Sequence, residues 1–166
     1  MKVAVFLGSK SDADTMGKAA EVLREFGVDY KAFVISAHRA GDQLVKTVRE
    51  VESEGCEVII AGAGLSAALP GVIASRSVLP VIGVPLECIS PGKSNGLAGM
   101  DALLSIAQMP PRVPVATVGI GNAKNAAYLA LEILGIKYPD IKKKLMDFRA
   151  KMTAEAEAEG GKGFDL

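Results

Sequence analysis

Short apolar runs rich in β-branched residues alternate along this chain with stretches in which apolar residues recur at helical spacing. The first run, KVAVFL at 2–7, is followed by the polar loop GSKSD and by a helical pattern with apolar residues on one face. Four further runs open later units of the same kind: VDYKAFVI (28–35), EVIIA (57–61), PVIGVP (80–85) and PVATVG (114–119). The pattern therefore predicts five strands that alternate with helices.

Alternating strands and helices are typical of a parallel sheet, because parallel strands need long crossover connections and bury both of their faces. The expected architecture is an α/β fold with three layers and a doubly wound parallel sheet. No low-complexity linker divides the 166 residues, so we expect residues 1–166 to form a single domain.

The C-terminal part of the chain, residues 136–159, has no strand after it. Its apolar residues Ile141, Leu145, Phe148 and Met152 recur at helical spacing, which predicts an amphipathic helix that needs a surface to cover. That surface is either the chain's own sheet or a neighbouring subunit, and we favour the neighbouring subunit.

The composition points to a small-molecule partner. The chain has 19 Lys and Arg residues against 19 Asp and Glu residues, so it has neither the basic field that attracts nucleic acid nor a polybasic patch for a membrane surface. Its apolar runs end well before the ~20 residues that a membrane span needs. The N-terminal stretch MKVAVFLGSKSD lacks the layout of a signal peptide, and we therefore expect a cytoplasmic protein.

The cysteines give no sign of a metal site or a disulfide framework. Cys56 and Cys88 stand apart without CxxC spacing, and the chain has one histidine, so the sequence offers no zinc-binding set. We expect both thiols to be reduced and structural, and we expect no metal.

In a doubly wound sheet, ligands bind beyond the carboxyl ends of the strands, where the strand order reverses. With the order 2-1-3-4-5, three loops of unusual composition would meet there, at residues 8–12, 36–39 and 62–71. The first loop offers backbone N–H groups, two serine hydroxyls and the start of a helix, which together suit a phosphate group. We also expect Ser11 or Asp12 to cap that helix.

The second loop contains the only histidine of the chain, His38, beside Arg39 in the sequence VISAHRAG. Arg39 has a permanent positive charge for a phosphate group, and Asp12 is short enough to accept hydrogen bonds from a ribose diol. An imidazole exchanges protons near neutral pH and can act as an acid and as a base. We interpret His38 as a proton shuttle between the phosphate anchor and the ring of a nucleotide.

A dinucleotide-binding site is the main alternative from the residues alone. GAGLSA (62–67) fits the pattern GxGxxA after a strand, with Glu87 about 20 residues further on. This motif belongs to the third strand-helix unit rather than the first, so a module that binds NAD or FMN is the less favoured interpretation.

Seven motifs, in the same order, resemble those of one enzyme family: GSKSD (8–12), SAHR (36–39), GAGLSAALPG (62–71), PVIGVP (80–85), LLSIAQMP (103–110), VPVATVGI (113–120) and NAKNAAYLA (122–130). The family makes 4-carboxyaminoimidazole ribonucleotide (CAIR) in purine biosynthesis. It comprises the N5-carboxyaminoimidazole ribonucleotide (N5-CAIR) mutases and the carboxylases that add CO2 directly to aminoimidazole ribonucleotide (AIR). The resemblance implies a flavodoxin-like fold with strand order 2-1-3-4-5, a nucleotide substrate together with CO2, no cofactor, and a homo-octamer whose C-terminal helix reaches a neighbouring subunit.

The resemblance also implies which residues form the site. By position in the motif, His38 corresponds to the family's catalytic acid and base, and Gly62 and Gly64 would bring the backbone close to the ligand. Residues 108–110 are candidates for completing the pocket of a neighbouring subunit. The substrate contacts fall on Ser9, Ser11, Asp12, Ser36, Ala37, Arg39, Gly62, Gly64, Ser66 and Leu69. Such a site can be sparse, since the enamine-like C4 of an aminoimidazole attacks CO2 without metal or biotin, and the protein has only to hold CO2 in a dry pocket and remove the C4 proton.

Position 68 bears on which of the two reactions takes place. The mutases typically read GGAAHLPG in the third loop, with a second histidine over the base, whereas this chain has Ala68 there. The stretch GLSAALPG is closer to the GxSNxLxG pattern of the direct carboxylases, although SAHR and LLSIAQMP are typical of the mutases. We expect direct carboxylation of AIR with CO2, and the N5-CAIR mutase reaction is the alternative.

Overall fold

The computed structural model describes residues 1–90 and 93–160. The chain forms two compact units, one of residues 1–130 and one that begins at residue 131. The strands are β1 (Val3–Leu7), β2 (Tyr30–Val34), β3 (Val58–Gly64), β4 (Val81–Leu86), β5 (Cys88–Ser90), β6 (Lys93–Asn95) and β7 (Ala116–Thr117). The helices are α1 (Ala13–Glu25), α2 (Gly41–Ser53), α3 (Ala68–Ala74), α4 (Met100–Ala107), α5 (Ala123–Lys137) and α6 (Pro139–Glu159).

The first unit contains a five-stranded parallel sheet with the order β2-β1-β3-β4-β7. Val3 of β1 aligns with Tyr30 of β2 on one side and with Val58 of β3 on the other. Counted along the chain within this sheet, the strands follow the order 2-1-3-4-5, so the predicted flavodoxin-like α/β fold is confirmed. The order reverses at β1, because the chain moves outward to β2 and then returns to the other side of β1 to form β3.

Burial follows the hydrophobic pattern of the sequence. Every residue of β1 and β4 is buried, as expected for inner strands with helices on both faces. The edge strand β2 keeps three of its five residues exposed, which is why it can contain a lysine. On α2, the residues Leu44, Val48 and Val51 are spaced four and three positions apart, and all three are buried. The apolar face of this helix therefore packs against the core, as its helical spacing indicates.

Two features of the first unit differ from the sequence-based expectation. The predicted pattern has no strand between β4 and α4, but that connection contains the antiparallel pair β5 and β6. The last strand is only two residues long, and it pairs with β4 through Ala116 and Thr117. Pro114 lacks the N–H group that a longer ladder would need, so the predicted strand at 114–119 is mostly loop.

The second unit contains the end of α5 and the whole of α6. The amphipathic helix was expected over 136–159, but α5 continues to Lys137 and α6 begins at Pro139. Proline has no N–H group and suits the first turn of a helix, so it separates the two helices at Tyr138. Ile141 and Leu145 are buried as the pattern predicts, whereas Met152 is exposed.

Within the two described ranges, no helix combines the length and the apolar character that crossing a membrane requires. In the same ranges, no three His, Cys, Asp or Glu side chains lie together in a way that could hold a metal ion.

Candidate functional site

A cleft of about 250 Å³ lies in the first unit, where the loops that follow β1, β2 and β3 meet. This is the point at which the strand order reverses, as the position of ligand sites in such sheets predicts. Gly62 and Ser66 do not line the cleft. The predicted site residues that line it are Ser9, Ser11, Asp12, Ser36, Ala37, His38, Arg39, Gly64 and Leu69.

A short 3-10 turn, Lys10–Asp12, connects β1 to α1 and orders the polar groups of the first loop. The Oγ atom of Ser9 accepts hydrogen bonds from the N–H group of Ser11 at 3.3 Å and from the Ser11 hydroxyl at 2.9 Å. The Oδ2 atom of Asp12 accepts a hydrogen bond from the N–H group of Ser9 at 2.9 Å, which completes a capping box. Asp12 occupies the N-cap position of α1, which is one of the two predicted positions, but its side chain makes no capping hydrogen bond to that helix. Its Oδ2 atom instead accepts from Ser9, which caps the turn before α1.

The environment of Asp12 favours its neutral form. Burial raises the pKa of the Asp12 carboxyl group above its ordinary value of 3.8, and hydrogen bonds from the Ser9 N–H group and the Ser11 hydroxyl offset part of that rise. Hydrogen bonds donated by a ligand would stabilise the ionised carboxylate. A ligand with hydroxyl groups at Asp12 would therefore bind more tightly as the pH rises through this raised pKa.

The second loop is a tight turn that presents His38 and Arg39 to the cleft. The N–H groups of Arg39 and Ala40 donate hydrogen bonds to the carbonyl oxygen of Ser36 at 3.3 and 2.9 Å. Arg39 Nε also donates to Ser36 Oγ at 3.3 Å. The His38 ring is exposed, and no hydrogen bond or ion pair joins it to the residues that the structure describes. Both of its ring nitrogens are therefore open to a ligand in the cleft.

Gly62 allows β3 to pack closely against α1 and does not line the cleft. It is buried in β3, and a Cβ atom at this position would overlap the sulfur of Met16 on α1, which is itself buried. Its carbonyl oxygen accepts a hydrogen bond from the N–H group of Gly8 at 3.2 Å. Gly62 therefore does not line the cleft, because the missing side chain makes room for Met16, and its contact with a ligand stays a prediction.

Six residues line the cleft that the sequence-based list does not contain: one from the first loop, four from the third loop and one from β5. Ser66, which that list does contain, is exposed and does not line the cleft. The additional lining residues are Gly8, Ala63, Leu65, Ala67, Ala68 and Cys88. Strand order puts the residues past β4 near the third loop, but only the observed register, in which Gly64 pairs with Leu86, brings Cys88 to the cleft.

The cleft has a polar side and an apolar side. The first two loops contribute hydroxyl, carboxyl, imidazole and guanidinium groups. The third loop and the first residue of β5 contribute the side chains of Ala63, Leu65, Ala67, Ala68, Leu69 and Cys88. Such a cleft can bind a charged, hydroxylated group on one side and a flat ring with few polar atoms on the other.

The two cysteines have different surroundings. Cys56 is buried, its Sγ donates a hydrogen bond to the carbonyl oxygen of Val58 at 3.3 Å, and burial raises the pKa of its thiol. These features fit the structural role expected for Cys56. Cys88 is partly exposed and lines the cleft, so it lies where a ligand would touch it.

Comparisons with known proteins show which family this chain resembles in sequence and in structure. The family model described as AIR carboxylase matches residues 2–155. A Pyrococcus abyssi protein named N5-carboxyaminoimidazole ribonucleotide mutase is 57% identical over 151 residues, which cover 91% of this chain and 83% of the relative. A Thermotoga maritima protein with the same name is 51% identical over 154 residues, which cover 93% of this chain and 86% of the relative. The solved structure of Treponema denticola PurE superposes with a TM-score of 0.79 at 28% identity, over 96% of this chain and 98% of that one. The chain belongs to the AIR carboxylase family.

Proposed function

We propose that this chain is an N5-CAIR mutase, which moves the carboxyl group of N5-CAIR from N5 to C4 and so makes CAIR in cytoplasmic purine biosynthesis. One observation carries the proposal: in a member of the AIR carboxylase family, His38 lines the cleft and its ring has no partner in the described chain. The relatives that are 57% and 51% identical are named as mutases. Their names support this reaction better than the direct carboxylation that the third-loop motif favoured.

The polar side of the cleft suits the ribose phosphate. The Ser9 and Ser11 hydroxyls lie 2.9 Å apart, and the guanidinium of Arg39 is close enough to the cleft to line it. The bond from Arg39 Nε to Ser36 Oγ is long at 3.3 Å, and a phosphate oxygen would make a shorter, charge-assisted bond in its place. Asp12 would accept hydrogen bonds from the ribose hydroxyls, which compensate for the burial of its carboxylate.

The apolar side of the cleft suits the aminoimidazole ring and CO2. Carbon dioxide has no charge, and it reacts with C4 only while it stays beside the ring. Side chains such as Ala63, Ala67 and Leu69 are buried and offer water no hydrogen bonds. A cleft that is apolar on this side would therefore keep CO2 near C4 and keep water away from it.

His38 can serve both halves of the reaction. In the first half, the bond between N5 and the carboxyl carbon breaks, its electron pair returns to N5, and N5 takes a proton from the His38 imidazolium. In the second half, the enamine electrons of C4 form a carbon-carbon bond to CO2, and the neutral imidazole of His38 removes the C4 proton. The ring ends in the protonation state in which it began, so no external acid or base is consumed.

Direct carboxylation of AIR is the second candidate, and Ala68 is the observation that favours it. Ala68 lines the cleft, at the position where the mutases have a second histidine according to the sequence resemblance. Direct carboxylation needs only the second half of the reaction, in which CO2 arrives from solution and His38 removes the C4 proton.

An assay with two substrate mixtures separates the candidates. The purified protein is given N5-CAIR without bicarbonate, or AIR with bicarbonate, and CAIR is separated by chromatography. A carbamate loses CO2 spontaneously in water, so each rate is corrected for a reaction without protein. We expect CAIR from N5-CAIR while dissolved CO2 is kept low by sparging. Formation of CAIR only from AIR and bicarbonate would replace the mutase proposal by direct carboxylation.

We also infer that the chain assembles as a homo-octamer and that the C-terminal helix contacts a neighbouring subunit. In the second unit, Ile136 is 88% exposed and Met146 is 62% exposed, and both line a mainly apolar groove of about 210 Å³. Exposed apolar patches of this kind typically mark protein contacts. Sedimentation equilibrium is expected to give the mass of an octamer, and Met146→Lys is expected to weaken the assembly. A monomer at micromolar concentration would contradict the inference.

A further inference from the structure

A polar groove of about 590 Å³ runs beside α2 in the first unit, and it shares no lining residue with the cleft. Its charged and hydroxyl-bearing lining residues are Asp42, Lys46, Arg49, Glu50 and Ser53 of α2 and Arg76, which follows α3. Three cationic side chains thus line one groove of a chain whose formal net charge is zero.

The backbone at Arg76 is held against α2. Its N–H group donates a hydrogen bond to the carbonyl oxygen of Ile73 at 2.9 Å, which fixes the turn after α3. The hydroxyl of the next residue, Ser77, donates a hydrogen bond to Oε1 of Glu52 on α2. Glu52 follows Arg49 by three positions, and side chains with this spacing are neighbours on a helix. Arg49 and Arg76 therefore line the groove from two elements that a side-chain hydrogen bond joins.

The carboxylates of the groove do not neutralise these two arginines. No hydrogen bond or ion pair joins either guanidinium group to the residues that the structure describes. Glu50 is paired with Lys46, whose Nζ lies 3.8 Å from its Oε1. Asp42 precedes Arg49 by seven positions, which is about 10 Å along a helix axis. The groove therefore has two guanidinium groups without counter-charges of their own.

We propose that this groove binds the diphosphate group of a small phosphorylated ligand, with Arg49 and Arg76 as its charged contacts. A guanidinium group donates paired hydrogen bonds to phosphate oxygens, so two of them match two phosphate groups. The groove is larger than the cleft, about 590 against 250 Å³, and has room for more than one phosphate. A nucleic acid fits the groove less well, because its backbone requires many cationic contacts along an extended surface.

Equilibrium dialysis with radiolabelled pyrophosphate tests the proposal. The cleft is expected to hold a phosphate group through Arg39, so the full chain with Arg39→Gln serves as the parent protein. Low ionic strength is used, because salt screens exposed charges. We expect one pyrophosphate per parent chain. Adding Arg49→Gln or Arg76→Gln is expected to raise the dissociation constant about tenfold, since each removes a charge-assisted hydrogen bond.

Two further variants separate a built site from general attraction by charge. Arg49→Lys keeps the charge but loses the planar fork of donors, so it is expected to bind pyrophosphate more weakly than the parent. Lys18→Gln is the matched control, because it changes the net charge as Arg49→Gln does, and Lys18 is exposed on α1 and does not line the groove. It is expected to bind pyrophosphate as the parent does. Arg49 and Arg76 are exposed, so every variant is expected to melt at the temperature of the parent.

Four results would overturn the proposal. The parent protein could fail to bind pyrophosphate, or Arg49→Gln and Arg76→Gln could bind it as tightly as the parent. Equal weakening by Lys18→Gln and Arg49→Gln, with Arg49→Lys unchanged, would show attraction by charge only. An affinity for inorganic phosphate equal to that for pyrophosphate would show an adventitious ion only. None of these results bears on the mutase reaction, which is assayed through the cleft.

Discussion

Replacing His38 with asparagine is expected to slow carboxyl transfer by about 10²–10⁴-fold, which is the usual contribution of a positioned acid or base. Asparagine can form hydrogen bonds in the cleft, but it cannot give a proton to N5 and take one from C4. The His38 ring is exposed and has no partner in the described chain, so the free energy of unfolding is expected to stay within about 0.5 kcal/mol of the parent value. Single-turnover formation of CAIR measures the effect on the chemistry.

Arg39→Gln is expected to weaken nucleotide binding, in contrast to His38→Asn, which is expected to slow the chemistry. Loss of a charged hydrogen bond to phosphate is worth about 1.5–3 kcal/mol, so the nucleotide dissociation constant is expected to rise roughly 10–100-fold. Titration calorimetry with CAIR should show this loss for Arg39→Gln and nearly unchanged binding for His38→Asn. A His38→Asn enzyme with normal turnover would show that the imidazole is not the proton shuttle.

Gly62→Ala is expected to lower the free energy of unfolding by about 1–3 kcal/mol, because overpacking of a dense core forces side chains out of their preferred conformations. The new methyl group would overlap the sulfur of Met16, which is 1% exposed and packed in the core. Urea unfolding at fixed protein concentration measures the change, since any assembly makes apparent stability depend on concentration.

Two further variants test the cause of this loss. Gly17→Ala on α1 places a methyl group where no atom lies within 4 Å, and it is expected to stabilise the protein by about 0.5–1 kcal/mol through helix propensity. In the double variant, Met16→Ala removes the group that the methyl introduced by Gly62→Ala would meet, so the combined loss should be smaller than the sum of the single losses. If Gly62→Ala is as stable as the parent, Met16 does not require glycine at this position.

The main sheet could be predicted because its signals are local. Each inner strand is a short run of β-branched and apolar residues, and a parallel sheet with helices on both faces buries such a run completely. The switch point then places 8–12 and 36–39 together, and the structure does bring these two loops to one cleft. The paired strands β5 and β6 were not predicted because their residues, 88–90 and 93–95, contain no alternating apolar pattern.

The third loop was predicted less well, since two glycines there look alike in the sequence and differ in space. Gly64 lines the cleft, whereas Gly62 faces Met16. The two glycines lie two positions apart in β3, so the alternation of a strand puts them on the same face. They differ because Gly64 is the last residue of the strand and lines the cleft, whereas Gly62 lies further inside the strand, against α1. Cys88 was not predicted to line the cleft, because its position there depends on the pairing of β3 with β4, which residue types alone do not determine.

The sequence by itself determined the fold class, the proximity of His38 to Arg39 and the family resemblance, which implied the strand order, because these depend on residue types and motifs along the chain. Only the tertiary structure decided that Cys88 lines the cleft, that Gly62 belongs to the core and that Leu65 reaches the segment after β6. These features depend on contacts between residues far apart in the chain, where close packing rather than residue type determines which side chain occupies a given space.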